Sequence, residues 1–105
     1  MVARVSVPAT AKQGEVITVR VAIQHPMETG FRFDASGAAI PKNVINRLAC
    51  RFDGVEVFRA ELGSGIAANP YLEFHLVATR SGKLEVAWTD DTGASGAETA
   101  ELTVT

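Results

Sequence analysis

Side chains that could take part in covalent or acid–base chemistry are few in this 105-residue chain. The sequence holds only two histidines, His25 and His75, and one cysteine, Cys50. One arrangement could combine them as a nucleophilic triad, in which His75 activates Cys50 and Asp53 orients His75. The alternative is that Cys50 is a small core residue, because it shares the alternation of the apolar residues two positions away on either side. We favour the core position and expect no catalytic residue.

Motifs for binding ions or cofactors are incomplete. Two histidines without a third ligand at a regular spacing fall short of a zinc site. Gly63-Ser64-Gly65 could cradle a phosphate, but neither Lys nor Thr follows it as in a phosphate-binding loop. Asp90-Asp91-Thr92-Gly93 offers fewer oxygen ligands than a calcium loop needs, and it is more typical of a hairpin corner. We therefore expect neither a metal nor a cofactor.

The composition is that of a folded globular domain. Hydrophobic residues make up 47% and charged residues 21%, which is close to the average for globular proteins and argues against disorder. The net charge of −2 argues against a nucleic-acid partner, and no basic cluster suggests an anionic membrane. A single cysteine allows no disulfide within the chain. The length predicts one domain, residues 1–105.

Apolar and polar residues alternate with a period of two along most of the chain, which indicates half-buried β-strands. The clearest run, residues 15–24, is rich in β-branched side chains that suit a pleated sheet. Asp53-Gly54 separates two such runs and is a strong signal for a tight hairpin turn. About seven short strands, with no helical periodicity, predict an all-β, immunoglobulin-like antiparallel β-sandwich without a disulfide.

The segment from His25 to Asn43 is longer than most connections in a sandwich, and loops of this length are often functional. One interpretation is a small hairpin that turns at residues 34–37, with Phe31, Phe33 and Ile40 as its apolar face. The other is that these side chains are presented to another protein. We favour presentation, because the two phenylalanines lie on a connection rather than in a strand.

Several motifs occur in order along nearly the whole chain. The most specific is HPMETG at residues 25–30, which is followed by Ile40-Pro41 at the end of the long connection. Further along come Phe52-Asp53-Gly54 with Val57, Asn69-Pro70 with Phe74, and Gly82 with Trp88-Thr89-Asp90 and Gly93. Together these motifs resemble the SoxZ family, the smaller subunit of the SoxYZ carrier complex of bacterial thiosulfate oxidation.

This resemblance implies a subunit that is not an enzyme. In the family, the sulfur intermediates are held on a cysteine in a glycine-rich C-terminal tail of the SoxY subunit, whereas Cys50 of this chain lies within a predicted strand. The chain would then be the scaffold of a heterodimer with a SoxY-type protein. Other Sox enzymes would contact the complex only transiently.

A scaffold subunit is expected to expose apolar side chains to its partner. We expect Met27, Phe31 and Phe33 from the long connection to contribute. Tyr71 and Val77 are second choices, because they lie on the otherwise polar face of their strand. Without its partner, the chain could self-associate through the same surface.

The predicted location depends on the resemblance. The N-terminal residues contain no apolar run of signal-peptide length, and no span of the chain is apolar over the thickness of a membrane. By itself this predicts a cytoplasmic protein. The resemblance instead implies a periplasmic protein that is exported together with a partner carrying the signal.

Two other functions stay open. A ligand- or glycan-binding sandwich would need an exposed aromatic platform, and Trp88 falls on the core-facing positions of its strand. A cysteine-dependent enzyme would need an exposed Cys50 with a lowered pKa.

Overall fold

The computed structural model describes residues 3–105, which form eight β-strands and no helix. The strands are β1 (Ala3–Ser6), β2 (Thr10–Ala11), β3 (Val16–Ile23), β4 (Ile45–Phe52), β5 (Val55–Glu61), β6 (Tyr71–Val77), β7 (Gly82–Asp90) and β8 (Ser95–Val104). They make two sheets with the orders β1-β3-β6 and β2-β8-β7-β4-β5. The predicted all-β sandwich without a disulfide is confirmed. Within the described residues, no helix has the length and apolarity to cross a membrane.

Alternation in the sequence sets which face of each strand is buried. In β3, every second residue from Ile17 to Ile23 is buried, and the residues between them face outward or lie at the margin. β4 and β7 pair antiparallel at the centre of the larger sheet and bury their apolar positions in the same way. The core lies between the two sheets, where each Å² of apolar area removed from water contributes roughly 25 cal/mol.

One pairing departs from the antiparallel prediction. β2 is only two residues long, and it pairs parallel with the end of β8. The N-terminal segment therefore contributes β1 to the smaller sheet and β2 to the larger one. A strand of two residues is too short to show a period, so alternation could not predict it.

Trp88 packs against Gly96, its register partner on β8. A Cβ at position 96 would lie 2.5 Å from the indole ring, so only glycine leaves room for this side chain. Trp88 is 4% exposed, as its position in the alternation predicted. The indole therefore belongs to the core and offers no exposed aromatic platform for a glycan.

Three connections meet at one end of the sandwich, which we call the loop end. They are residues 24–44 between β3 and β4, residues 62–70 between β5 and β6, and residues 91–94 between β7 and β8. Backbone hydrogen bonds join them. The Asn69 N–H donates to the His25 carbonyl (2.8 Å), and the Asp91 N–H donates to the Val44 carbonyl (3.0 Å).

Candidate interaction site at the loop end

The structure does not bring the hypothetical catalytic triad together. Cys50 is fully buried and faces the core from β4, whereas His75 lies exposed on the outer face of β6. Burial raises the pKa of the Cys50 thiol to about 11, which is the opposite direction from that of an activated nucleophile. Asp53 lies in the turn after β4, where its carboxylate accepts a hydrogen bond from the Lys83 N–H (2.8 Å). The prediction that Cys50 is a core residue is confirmed.

The acidic run after β7 is a hairpin corner. The Gly93 N–H donates to the Asp90 carbonyl (3.0 Å), and Gly93 adopts a φ of 86° that glycine tolerates without strain. The Asp90 Oδ1 accepts hydrogen bonds from the Thr92 N–H (3.0 Å) and the Ala94 N–H (3.1 Å). Among residues 3–105, no group of three or more His, Cys, Asp and Glu side chains is placed to hold a metal ion.

His25 is the buried polar centre of the loop end, with 2% of its surface exposed. Its Nδ1 accepts a hydrogen bond from the Met27 N–H (2.9 Å). Because a backbone N–H can only donate, the ring proton lies on Nε2, which is 3.0 Å from the Asp90 Oδ2. The neutral imidazole therefore links the start of the long connection to the last residue of β7.

Asn69 closes the other side of this cluster. Its Oδ1 accepts from the His25 N–H (3.1 Å), and its own N–H donates to the His25 carbonyl. Asn69 adopts a φ of 55°, in the left-handed region where asparagine is more common than most residues. His25 thus joins the start of the long connection to the connection between β5 and β6 and to the end of β7, and we call His25, Asp90 and Asn69 the His25 cluster.

Asp90 is the anionic member of the cluster and is 5% exposed. Burial by itself raises the pKa of Asp90. The hydrogen bonds that it accepts from Thr92, from His25 and from the Ala94 N–H outweigh burial, so the pKa of Asp90 is lowered overall. The carboxylate is therefore ionised near neutral pH and orients the His25 ring.

The expectation that Met27 is exposed to a partner is wrong. Met27 is 4% exposed, and its Sδ lies 3.3 Å from the Ile45 N, placed to accept a hydrogen bond. The buried odd-numbered positions of β3 continue beyond the strand through His25 to Met27, and the left-handed φ of 48° at Met27 ends the run. Met27 is a core residue of this chain, and it fixes where the long connection leaves the sandwich.

Residues 28–43 form a projecting hairpin, which we call the phenylalanine hairpin. Glu28 pairs antiparallel with Asn43 at its base, and Phe33 pairs with Ala39 near its tip. At the tip, the Asp34 N–H donates to the Ala38 carbonyl (2.9 Å). The predicted turn at residues 34–37 is confirmed.

Two contacts shape the base of the phenylalanine hairpin. Arg32 and Glu28 form a two-point ion pair, with Nε–Oε2 and Nη2–Oε1 distances of 3.0 and 2.6 Å. This hydrogen bonding lowers the pKa of Glu28. Gly30 has a φ of 91°, and a Cβ there would lie 3.1 Å from the Lys42 Cβ. The two arms can therefore approach each other only because position 30 is glycine.

Phe31 and Phe33 are exposed over 83% and 68% of their surfaces. The interpretation in which they close a small core of the hairpin is therefore wrong. The molecule is elongated, with extents of 58 × 19 × 19 Å and a radius of gyration of 16.1 Å, compared with about 13 Å for a compact domain of this length. The two rings are presented to solvent, as partner-binding side chains must be.

A groove of about 500 Å³ separates the phenylalanine hairpin from the connection between β5 and β6. Pro26, Thr29 and Arg32 line one side, and Ile66, which is 39% exposed, lies on the other. Phe31 and Phe33 lie on the same hairpin but outside the lining of this groove, and we call Phe31, Phe33 and Ile66 the loop-end surface. No period in the sequence marks Ile66, so sequence reasoning missed it.

Tyr71 and Val77 lie on a different face. They are 56% and 51% exposed on the outer side of β6, in the smaller sheet. Their exposure agrees with a role in binding, and contact with a partner stays a prediction.

The fold and the site together define a class: an immunoglobulin-like sandwich with a projecting hairpin that exposes two phenylalanines, in which residues 3–105 contain no group of His, Cys, Asp and Glu side chains placed to hold a metal ion. The profile of one protein family, described as Sulphur oxidation protein SoxZ, matches residues 4–101. This chain belongs to the SoxZ family. A search of curated proteins gave no match.

Solved structures share the fold. A variant of the superoxide reductase (neelaredoxin) of Ignicoccus hospitalis has a TM-score of 0.76 at 22% identity, over 98% of this chain and 79% of that one. A putative superoxide reductase of Thermotoga maritima has a TM-score of 0.75 at 18% identity, over 98% and 85%. The sulfur carrier protein SoxY of Chlorobium limicola f thiosulfatophilum has a TM-score of 0.68 at 14% identity, over 98% and 78%. At these identities the likeness shows the fold alone.

Proposed function

We propose that this chain is the scaffold subunit of a SoxYZ-type sulfur carrier, and that a SoxY-type partner holds the sulfur intermediates on its own cysteine. The observation that carries the proposal is the SoxZ family match over residues 4–101. Other Sox enzymes contact the assembled carrier transiently, since a reactive group that visits several enzymes needs a body that each can recognise.

The environment of Cys50 supports this division of roles. The side chain is fully buried, and burial raises the pKa of its thiol to about 11. The thiolate is the form that attacks sulfur compounds, so a thiol with this pKa reacts slowly near neutral pH. Cys50 is therefore a poor attachment point for a sulfur intermediate.

We place the SoxY-type partner on the loop-end surface. Large aromatic side chains dominate the binding energy of many interfaces, and Phe31 and Phe33 present two of them. The His25 cluster holds the base of the phenylalanine hairpin, so the rings are positioned before the partner arrives. Positioning of this kind lowers the entropic cost of association.

Intact-mass measurement tests the proposed division of roles. The complex of this chain with a SoxY-type chain would be isolated from cells that are oxidising thiosulfate, and each chain would be weighed. We expect sulfur adducts on the SoxY-type chain and none on this chain. A Cys50→Ser variant should leave the adducts on the partner unchanged, and a sulfur adduct on Cys50 would contradict the proposal.

The proposal extends to location. We propose that the chain works in the periplasm and is exported together with a partner that carries the signal, as its family membership suggests. Cell fractionation with and without that partner tests this point. Export of this chain in the absence of the partner would contradict joint export.

A further inference from the structure

The two sheets have four edge strands, which are β1, β6, β2 and β5. β1 and β2 are short, with four and two residues, and β5 is interrupted by a register shift opposite Cys50 and Arg51. β6 has seven residues, an unbroken register against β3, and no Pro, Gly or Lys. Proteins usually shorten, bulge or charge their edges to prevent pairing with other chains. β6 is neither short nor bulged, and Glu73 is its one acidic or basic residue apart from His75.

The backbone groups that β6 leaves free can be identified from its ladder with β3. The Ile23 N–H donates to the Pro70 carbonyl (3.1 Å), and the Ala78 N–H donates to the Glu15 carbonyl (2.8 Å). Because hydrogen-bonded pairs alternate in an antiparallel ladder, even-numbered residues of β6 bond to β3 and odd-numbered residues face the open edge. The four residues with outward backbone groups are Tyr71, Glu73, His75 and Val77.

We propose that a second copy of this chain binds at this edge, with the two β6 strands antiparallel about a twofold axis at Phe74. Glu73 then lies opposite His75 of the second copy, and Tyr71 lies opposite Val77 of the second copy. All four outward-facing residues are paired in this register. Shifting the second strand by two residues would leave one of these four residues without an opposite residue on the other strand. One direction of shift would also place Glu73 opposite Glu73 of the second copy, and the other would place His75 opposite His75.

The outer face of the sheet is complementary to itself in the same register. Val16, which is 64% exposed, lies directly opposite Val77 across β3 and β6. Tyr71 of the second copy therefore lies opposite Val77, with Val16 on the far side of Val77, and the symmetric contact repeats this arrangement in that copy. Apolar cross-strand pairs stabilise an antiparallel ladder, and an imidazole N–H opposite a carboxylate can donate a hydrogen bond to it. The result is a continuous six-stranded sheet made from two three-stranded ones.

The outward polar side chains near this edge fit the pairing. Within one chain, Glu73 lies 3.6 Å from the Arg20 Nε, and the His75 Nδ1 lies 3.3 Å from the Thr18 Oγ1. The Arg20 and Thr18 contacts come from β3, on the side away from the open edge, and the Tyr71 hydroxyl donates to the Glu73 Oε2 along β6 itself (3.0 Å). The Glu73 Oε1 and the His75 Nε2 are left to face the second copy. This inference does not depend on the SoxY-type partner, which we place at the loop-end surface.

Disulfide trapping tests the register. Tyr71→Cys and Val77→Cys variants would be mixed and oxidised, and we expect a covalent dimer that contains one of each. Neither variant alone should cross-link, since two copies of position 71 lie six residues apart along the ladder, about 20 Å, far beyond the reach of a disulfide. Absence of the mixed cross-link, or cross-linking of either variant alone, would overturn the proposed register. The native Cys50 is fully buried and should not interfere.

Sedimentation equilibrium tests the dimer itself. Val77→Lys should raise the dimer dissociation constant by about tenfold or more, because it places a charge opposite Tyr71. Val57→Lys on the β5 edge is the matched control and should leave the constant unchanged. His75→Glu should weaken the dimer by setting like charges opposite each other, and the added Glu73→Lys change should restore it. Circular dichroism of each variant would verify that it is folded.

Three results would overturn the proposal. The first is a chain that stays monomeric at every concentration measured. The second is an equal effect of the two lysine variants. The third is dissociation of the dimer by a SoxY-type chain, together with protection of β6 from hydrogen exchange in the resulting complex. That result would assign the β6 edge to the SoxY-type chain.

Discussion

Met27 and Phe31 lie four positions apart in one connection, yet they are 4% and 83% exposed. Met27 and His25 belong to a buried base that is held by hydrogen bonds to Asp90 and to the backbone, and among the described residues only the Asn43 Oδ1 is buried there without a hydrogen-bond partner. Phe31 and Phe33 belong to a tip that contacts solvent. The comparison shows that the HPMETG motif anchors the base of the phenylalanine hairpin to the sandwich. The exposed side chains suited to binding begin directly after this motif.

The largest change in unfolding free energy is expected at the base of the hairpin. His25→Ala leaves the Met27 N–H and the Asp90 carboxylate each without one hydrogen bond and opens a cavity, so we expect a loss of about 3–4 kcal/mol of unfolding free energy. Urea denaturation measures this loss. Glu101→Ala on β8 is the control, because this residue is exposed and its removal should change stability by about 0.5 kcal/mol or less. Equal losses from the two variants would contradict the anchoring role of His25.

The next largest effect is a difference in unfolding free energy between variants at the base and at the tip of the same connection. Met27→Ala should lower the unfolding free energy by about 3 kcal/mol, because it removes a buried side chain. Phe31→Ala should lower it by about 0.5 kcal/mol or less, because that ring has no core contact to lose. Thermal unfolding of the two variants side by side would detect the difference. A stability loss at Phe31 as large as that at Met27 would mean that the tip is part of the core.

The smallest expected effect is a change in how stability depends on pH. The pKa of Asp90 is lowered in the folded chain, so its ionised form stabilises the fold above the unfolded pKa of about 3.9. This contribution is lost as the pH falls through the lower folded pKa. Asp90→Asn should therefore flatten the decline of stability in acid.

Asp34→Asn at the tip is the comparison variant for the pH experiment. The pKa of Asp34 is also lowered, first by its hydrogen bond from Ser36, but the carboxylate is exposed and screened by solvent. The acid decline of this variant should therefore resemble that of the unmodified chain. Denaturant titrations at several pH values below neutrality measure both slopes, and a flatter slope for Asp34→Asn than for Asp90→Asn would contradict the account.

Alternation was sufficient to predict the sandwich, because a strand with one buried face repeats every two residues. Alternation correctly predicted that Cys50 and Trp88 face the core and which residues of β6 face outward. Asp53-Gly54 correctly predicted the turn between β4 and β5. The hairpin tip at residues 34–37 was also predictable, since Asp, Ser and Gly favour tight turns for separate local reasons.

The base of the hairpin could be predicted only in part. His25 and Met27 continue the odd-numbered buried positions of β3, so extending that period would have predicted that both are buried, but not which groups they contact. The bond between His25 and Asp90 joins positions 65 residues apart, and their pairing depends on how three connections meet in space. The space that Gly96 leaves for Trp88 also depends on a register between strands.

The most direct test of the account is the affinity of this chain for a SoxY-type chain, measured by titration calorimetry. A Phe31→Ser/Phe33→Ser double variant should bind at least about 30-fold more weakly, which corresponds to about 2 kcal/mol lost at a binding hot spot. A Val55→Ser/Val57→Ser double variant, which alters exposed residues of β5, should bind within about threefold of the unmodified chain. Unchanged affinity in the phenylalanine variant, with both variants folded, would contradict the placement of the partner on the loop-end surface.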